Sequence, residues 1–251
     1  MFIPDKIKYF FRCLGNKNDR TAALSFLSNG DLTIGFSNRL WFLRQIYRIT
    51  LNTSVAHTEA EILAVATAVL SSPRDRPGCI VEAGCYKGGS TAKFSLLAKL
   101  AGRKLYAFDS FEGLPENDEK HGTTTEGVEA HFEKGRYLGT LEEVRATVGK
   151  WGDIYSTELM KGWFDNTMPD FKERIIGGYI DVDLVSSTKT CLKYLFPLLQ
   201  PGGSLFSQDG HLPLIVECLR DKNMWEQEVG CAPPFMDGLG QSKLVRIEKA
   251  R

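Results

Sequence analysis

The sequence has no run of about 20 apolar residues, so it offers no bilayer-spanning helix. It has no surplus of charge: 31 basic and 31 acidic residues leave a formal charge of zero. That excludes the broad basic footprint of a nucleic-acid binder. None of its six cysteines stands in a C-x-x-C pair. Cys13, Cys79, Cys85, Cys191, Cys218 and Cys231 therefore read as thiols in a reducing, cytoplasmic compartment, not as zinc ligands or disulfides. The start of the chain, residues 1–13, lacks the unbroken apolar centre and small-residue cleavage site of a secretion signal. It reads as a partly ordered terminus, with an amphipathic lid or docking segment as the alternative. Internal repeats and low-complexity tracts are absent as well.

What is present suits one α/β domain. The 251 residues are 43% apolar and 25% charged, ordinary proportions for a globular chain of this size. Residues 1–35 read as irregular, with an Asn29-Gly30-Asp31 turn signal. Leu40, Leu43, Ile46 and Tyr47 have helical spacing, and Thr58-Glu-Ala-Glu61 has the form of a capping box opening a second helix. Residues 1–75 are expected to form a helical lid segment, and residues 76–251 the main domain.

From residue 79 the pattern alternates between strand and helix. Strands are expected at Cys79–Glu82, Lys104–Phe108, residues 154–160, Ile175–Ile180 and Ser204–Ser207. Two closing strands are expected near Trp225–Cys231 and Lys243–Glu248. Helices fall between them, one opened by a second capping box at Thr140-Leu-Glu-Glu143. Such alternation implies a largely parallel, doubly wound Rossmann-like sheet with helices on both faces. Ligands bind such sheets at the carboxyl ends of the strands, near the topological switch point.

The first strand runs into Val81-Glu-Ala-Gly-Cys-Tyr-Lys-Gly-Gly-Ser90. Gly84, Gly88 and Gly89 remove side chains where backbone must bend and approach a ligand, and Ser90 opens a helix whose free N–H groups favour a polar or anionic group. The second strand ends in Asp109, 25 residues beyond Gly84, placed to accept hydrogen bonds from ribose hydroxyls. The bland alternative is a strand-to-helix turn with a solvated aspartate. Loop, position and spaced acid together point to a nucleoside cofactor. The loop reads G-x-x-x-G-G where a dinucleotide site wants G-x-G-x-x-G, and Glu82 would repel a pyrophosphate but attract an amino or sulfonium group. This favours S-adenosyl-L-methionine over NAD.

Three blocks, residues 81–90, Tyr106-Ala-Phe-Asp-Ser-Phe-Glu-Gly-Leu-Pro115 and Lys161-Gly-Trp-Phe-Asp-Asn-Thr-Met-Pro169, resemble motifs of the macrocin and mycinamicin sugar O-methyltransferase family, itself related to the catechol type. The resemblance implies a mostly parallel seven-stranded sheet with an antiparallel last strand. It places Glu82, Gly84, Lys87, Gly88, Gly89 and Ser90 around the methionine part of the cofactor and Asp109 and Ser110 at the ribose. Gly162 and Trp163 fall beside the adenine, although Trp163 and Phe164 equally suit a core.

The fourth and fifth strands end in Tyr179-Ile-Asp-Val-Asp183 and Phe206-Ser-Gln-Asp-Gly210. Adjacent parallel strands lie about 4.8 Å apart, so acids at their ends can converge on a hard cation such as Mg²⁺. The resemblance implies a metal held at Asp181, Gln208 and Asp209, with Gln208 standing where the family has a carboxylate. The alternative is that Asp181 and Asp209 are strand-end caps or pocket acids. Asp181 is also the candidate base, inferred mainly from the family, and Asp183, two residues on, is expected on the opposite face. His211 is a second candidate for proton transfer. His121 and His131 read as solvated loop residues, and His57 as structural.

The expected activity is transfer of a methyl group to a hydroxyl of a small molecule, a sugar or glycosylated metabolite. The long polar segment 113–139 and residues 1–57 would select the acceptor. The rivals are a noncatalytic adenosyl-ligand binding protein and an NAD-dependent oxidoreductase. Assembly into a homo-oligomer is left open.

Overall fold

The computed structural model describes residues 16–125 and 127–251, and the reading of residues 1–13, Cys13 included, lies outside them. The described residues begin with three helices: α1 (Lys17–Ser28), α2 (Phe36–Thr50) and α3 (Glu59–Leu70). The first corrects the expectation of an irregular start. Its N-cap Asn16 accepts from the backbone N–H groups of Asn18 and Asp19, a local cap that the weak apolar pattern concealed.

Strand and helix then alternate. β1 (Cys79–Ala83), α4 (Gly89–Ala101), β2 (Leu105–Asp109), α5 (Leu141–Trp151) and β3 (Thr157–Lys161) form the first half. A short α6 (Phe164–Thr167), β4 (Ile175–Ile180), α7 (Val185–Leu195), β5 (Leu199–Ser207) and α8 (Pro213–Arg220) follow. β6 (Phe235–Asp237) and β7 (Val245–Glu248) close the chain. The strand expected at Trp225–Cys231 is a correction: residues Met224–Val229 form a π-helical turn. Trp225 is fully buried there and its indole N–H donates to the Leu219 carbonyl at 2.8 Å, so one large side chain is satisfied from the preceding helix and a strand has no claim on it.

The seven strands form one sheet in the order β3-β2-β1-β4-β5-β7-β6. The first five are parallel, and β7 runs antiparallel to both β5 and β6. Alternation along β1 sends Ile80 to one face and Val81 to the other, the period of two that a doubly covered sheet requires. On the Ile80 face the core is continuous from Phe26, Phe42 and Ile46 through Phe94 to Tyr179 and Phe206. The N-terminal helices thus share the sheet's own core. Among the described residues no helix is long and apolar enough to cross a membrane.

Connections from β1 lead to one side of the sheet and β4 starts the other, so the topological switch lies between the ends of β1 and β4. A cavity of about 530 Å³ opens there, the position where such folds bind ligands.

Candidate functional site

The backbone builds the floor of this cavity. Gly84 follows β1 with φ +89°, and a Cβ on it would stand 1.9 Å from the Asp181 carbonyl oxygen. Only glycine fits where the β1 loop and the end of β4 touch. Asp109, at the end of β2, holds the loop from the other side. One carboxylate oxygen accepts the Cys85 N–H at 2.6 Å and the other the Phe111 N–H at 2.7 Å. Burial raises its pKa while those backbone donors favour the charged form.

Gly88, in a left-handed conformation, then starts α4, which has no side-chain cap on its first N–H groups. Gly84, Gly89, Ser90, Asp109, Ser110 and Trp163 all line the cavity. Glu82, Lys87, Gly88 and Gly162 do not. A Cβ on Gly88 would meet α5 at Val144, and the Lys87 ammonium lies over the Tyr86 ring. Glu82 is fully buried and neither carboxylate oxygen has a hydrogen-bond partner among the described residues. Burial pushes its pKa up to about 8, against the pull of the nearby Ser90 and Thr91 hydroxyls.

The acids at the far wall differ from expectation. β4 ends at Ile180, and Asp183 takes a left-handed φ of +61°. The strand's alternation therefore does not extend to it. Its carboxylate returns to the same side as Asp181 and Asp209, and oxygens of the three lie within 4.8 Å of one another. Asp209 pins the turn by accepting the N–H groups of Val182 and Asp183, both at 3.1 Å. The Tyr179 hydroxyl donates to Asp181 at 3.3 Å. Burial raises all three carboxyl pKa values, to about 6 for Asp181 and about 7 for Asp209; the charge on Asp181 adds to the rise at Asp209, and the charges on Asp209 and Asp181 add to it at Asp183.

Gln208 is tied to another element through its amide nitrogen. Its amide donates to the Glu61 carboxylate at the start of α3, at 2.9 Å. The carboxylates the structure groups are Asp181, Asp183 and Asp209, which adds Asp183 to the expected Asp181 and Asp209. Three carboxylates this close suit a hard divalent cation.

His211 lines the cavity, and its carbonyl accepts the Thr125 N–H at 2.9 Å. The segment 113–139 forms the outer wall, contributing Leu114, Phe132, Arg136 and Tyr137. His121 corrects another expectation, for it is buried, not solvated. It lies 3.0 Å from Glu119, whose carboxylate accepts the Val185 and Ser186 N–H groups and caps α7. His131 is exposed at the rim.

Two contributions carried no motif in the sequence, although residues 54–57 fall in the stretch expected to select the acceptor. Residues 54–57, between α2 and α3, form a wall beside Gly89, and Lys243, before β7, lines the cavity near the three carboxylates. Both arrive by packing, from positions with no motif.

Comparison with known proteins agrees with this architecture. The model of the macrocin O-methyltransferase (TylF) family matches residues 61–235. A Streptomyces olivaceus protein, 8-demethyl-8-(2,3-dimethoxy-alpha-L-rhamnosyl)-tetracenomycin-C 4'-O-methyltransferase, is 29% identical over 171 residues, 65% of this chain and 64% of the relative. The chain thus spans a little under two thirds of that relative's length. The solved structure of the O-methyltransferase NovP superposes with a TM-score of 0.68 at 19% identity, over 85% of this chain and all of that one. CalS11, a calicheamicin methyltransferase, gives 0.60 at 18% identity over 93% of each chain. At these identities the two structures speak to the fold.

Proposed function

Since the chain belongs to the macrocin O-methyltransferase (TylF) family, we propose that it transfers a methyl group from S-adenosyl-L-methionine to a hydroxyl of a sugar or glycosylated small molecule. The observation that carries the reading is the continuity of one cavity from the Asp109-fastened glycine loop to the carboxylates at the ends of β4 and β5. Cofactor and acceptor ends thus share one space at the switch point.

We assign the first turn of α4, with Gly89 and Ser90, to the amino-acid end of the cofactor, whose carboxylate the free N–H groups favour. Glu82 lies beneath that turn as a buried acid. Asp109 and Ser110 take the ribose and Trp163 the adenine. The cofactor supplies an electrophilic methyl on a sulfonium. Asp181 would take the proton of the acceptor hydroxyl, with His211 as the second candidate. Holding the oxygen behind the carbon supplies much of the acceleration.

Asp181, Asp183 and Asp209 would hold a divalent cation such as Mg²⁺, which lowers the pKa of a bound hydroxyl. Residues 113–139 and the cavity-lining residues 54–57 act as acceptor selector. The free thiols among the described cysteines suit a cytoplasmic enzyme. Gln208, a neutral side chain where the family resemblance implies a carboxylate, favours one rival: a noncatalytic adenosyl-ligand binding protein.

Calorimetry with S-adenosylhomocysteine, followed by turnover assays on deoxysugars and glycosides with Mg²⁺ or chelator, tests the reading. Binding is expected in the wild type and weakened about tenfold or more in Asp109→Ala, as loss of hydrogen bonds to a charged group requires. Binding without turnover across the acceptors would favour the rival. No binding of S-adenosylhomocysteine, with binding of NAD, would replace both readings with an oxidoreductase.

A further inference from the structure

Three of the four non-glycine residues with a left-handed backbone among the described residues, Tyr86, Tyr137 and Asp183, line the cavity. That conformation is unfavourable for any residue with a Cβ and persists only where the surroundings hold it. At Tyr137, with φ +59°, the holding contacts are plain. The two arms of the segment 113–139 are joined at its base. The Leu114 N–H donates to the Arg136 carbonyl and the Gly135 N–H to the Leu114 carbonyl, both at 2.9 Å. Two residues past Tyr137 the chain presses on the glycine loop after β1, where a Cβ on Gly139 would stand 1.8 Å from the Tyr86 carbonyl oxygen.

The ring is held as firmly as its backbone. Tyr86 meets it edge to face with centroids 6.1 Å apart, and the Phe132 centroid lies at 6.3 Å. The Arg136 guanidinium carbon sits 5.1 Å from its centroid, and that guanidinium is itself fixed by donating to the His131 carbonyl. Tyr137 nevertheless remains 41% exposed. A large ring fixed on an unfavourable backbone and left open to a cavity is a surface for a ligand.

The cavity divides into two chemistries that select this ligand. Its inner end carries the carboxylates of Asp181, Asp183 and Asp209, and its outer wall is apolar and aromatic through Leu114, Val128, Phe132 and Tyr137. A pyranose ring has the same division: hydroxyls around its edge, and faces of C–H bonds that the neighbouring oxygens polarise positive. The negative face of a phenol ring attracts such bonds, as it attracts cations.

We propose that Tyr137 is a specificity-determining residue that takes the C–H face of the acceptor's sugar ring, with one edge hydroxyl of that sugar turned to the carboxylates. This rests on the reading of the cavity as a site of methyl transfer to a sugar hydroxyl.

The test uses the full chain loaded with S-adenosylhomocysteine and a panel of methyl glycosides of hexoses and 6-deoxyhexoses, each with its p-nitrophenyl counterpart. Tyr137→Leu keeps apolar bulk without a π face, Tyr137→Asn removes the ring but suits the left-handed backbone, and Tyr137→Phe keeps the ring. In saturation-transfer NMR, irradiating the protein's aromatic protons should saturate the ring C–H protons of a bound methyl glycoside in wild type and Tyr137→Phe, and much less in the other two variants. Affinity for the methyl and p-nitrophenyl glycosides alike should fall about tenfold in Tyr137→Leu and Tyr137→Asn, while S-adenosylhomocysteine stays within about twofold throughout. A loss confined to the p-nitrophenyl glycosides would put the aglycone on Tyr137 instead. An equal loss for S-adenosylhomocysteine would make Tyr137 only a support of the glycine loop, and unchanged glycoside binding would leave it without a role. Each of these overturns the proposal, as does a wild type that binds S-adenosylhomocysteine but none of the glycosides. A wild type that does not bind S-adenosylhomocysteine would remove the cofactor reading, and the proposal with it.

Discussion

Gln208 donates its side-chain amide to Glu61 at 2.9 Å, tying the end of β5 to the first turn of α3 across 147 residues of sequence. The same Glu61 oxygen accepts the Thr58 N–H at 2.6 Å. One carboxylate thus serves both the α3 cap and the strand end, and an amide suits position 208 where an aspartate would face Glu61 with like charge.

Gln208→Asp should therefore destabilise the protein by about 1–3 kcal/mol, the range for a lost charge-assisted bond between poorly solvated groups. Glu61→Gln in the same chain should recover part of that loss, because it removes the repulsion. Urea denaturation of the two single variants and the double variant measures the coupling. Additive losses would show that the two side chains act independently.

Metal binding separates Asp183 from Gln208. With Mn²⁺ as the probe, Asp183→Asn should weaken binding clearly, and Gln208→Ala should leave it nearly unchanged. Electron paramagnetic resonance titration counts the bound ion directly, without reference to activity. The opposite ranking would restore the ligand set implied by the family resemblance.

Beneath the α4 turn, the Lys93 ammonium and Glu59 carboxylate meet at 2.9 Å with essentially no exposure, and Thr50 bonds both. This joins all three parts of the cap: the end of α2, the start of α3 and α4. Burial still raises the Glu59 pKa despite Lys93. Lys93→Met leaves that acid buried and unpaired and should cost about 3–5 kcal/mol. Replacing Glu59 by leucine as well should return much of it, as measured by chemical denaturation.

Glu82 sets a pH dependence. Its folded pKa, about 8, lies above the ordinary 4.5, so the folded state holds the proton more tightly than the unfolded chain does. The stability it contributes is complete below about pH 4.5 and is lost as pH rises to about 8, on the order of a few kcal/mol. Glu82→Gln has no proton to lose. Its stability advantage over wild type should widen across that window and level off above it, as followed by thermal melting without ligand. A difference that does not vary with pH would place the charge on Glu82 throughout.

The sequence by itself determined the features whose hydrogen bonds close within a few residues or whose pattern repeats. Both capping boxes, Thr58 with Glu61 and Thr140 with Glu143, form as read. The alternation of strands and helices yields the parallel sheet, and the glycine spacing after β1 yields the bend that meets Asp109. Two local readings failed, at α1 and at Trp225–Cys231, where a weak apolar pattern and a buried indole gave no periodic signal.

Tertiary structure decided the rest. Asp183 joins the carboxylates because its backbone turns left-handed after β4 stops, which no alternation rule anticipates. Gln208 turns to Glu61 because the N-terminal helices pack over the end of β5. His57 and Lys243 reach the cavity from opposite ends of the chain. Such meetings depend on which surfaces the core brings together, and a side chain's neighbours 147 positions away are not encoded in its own segment.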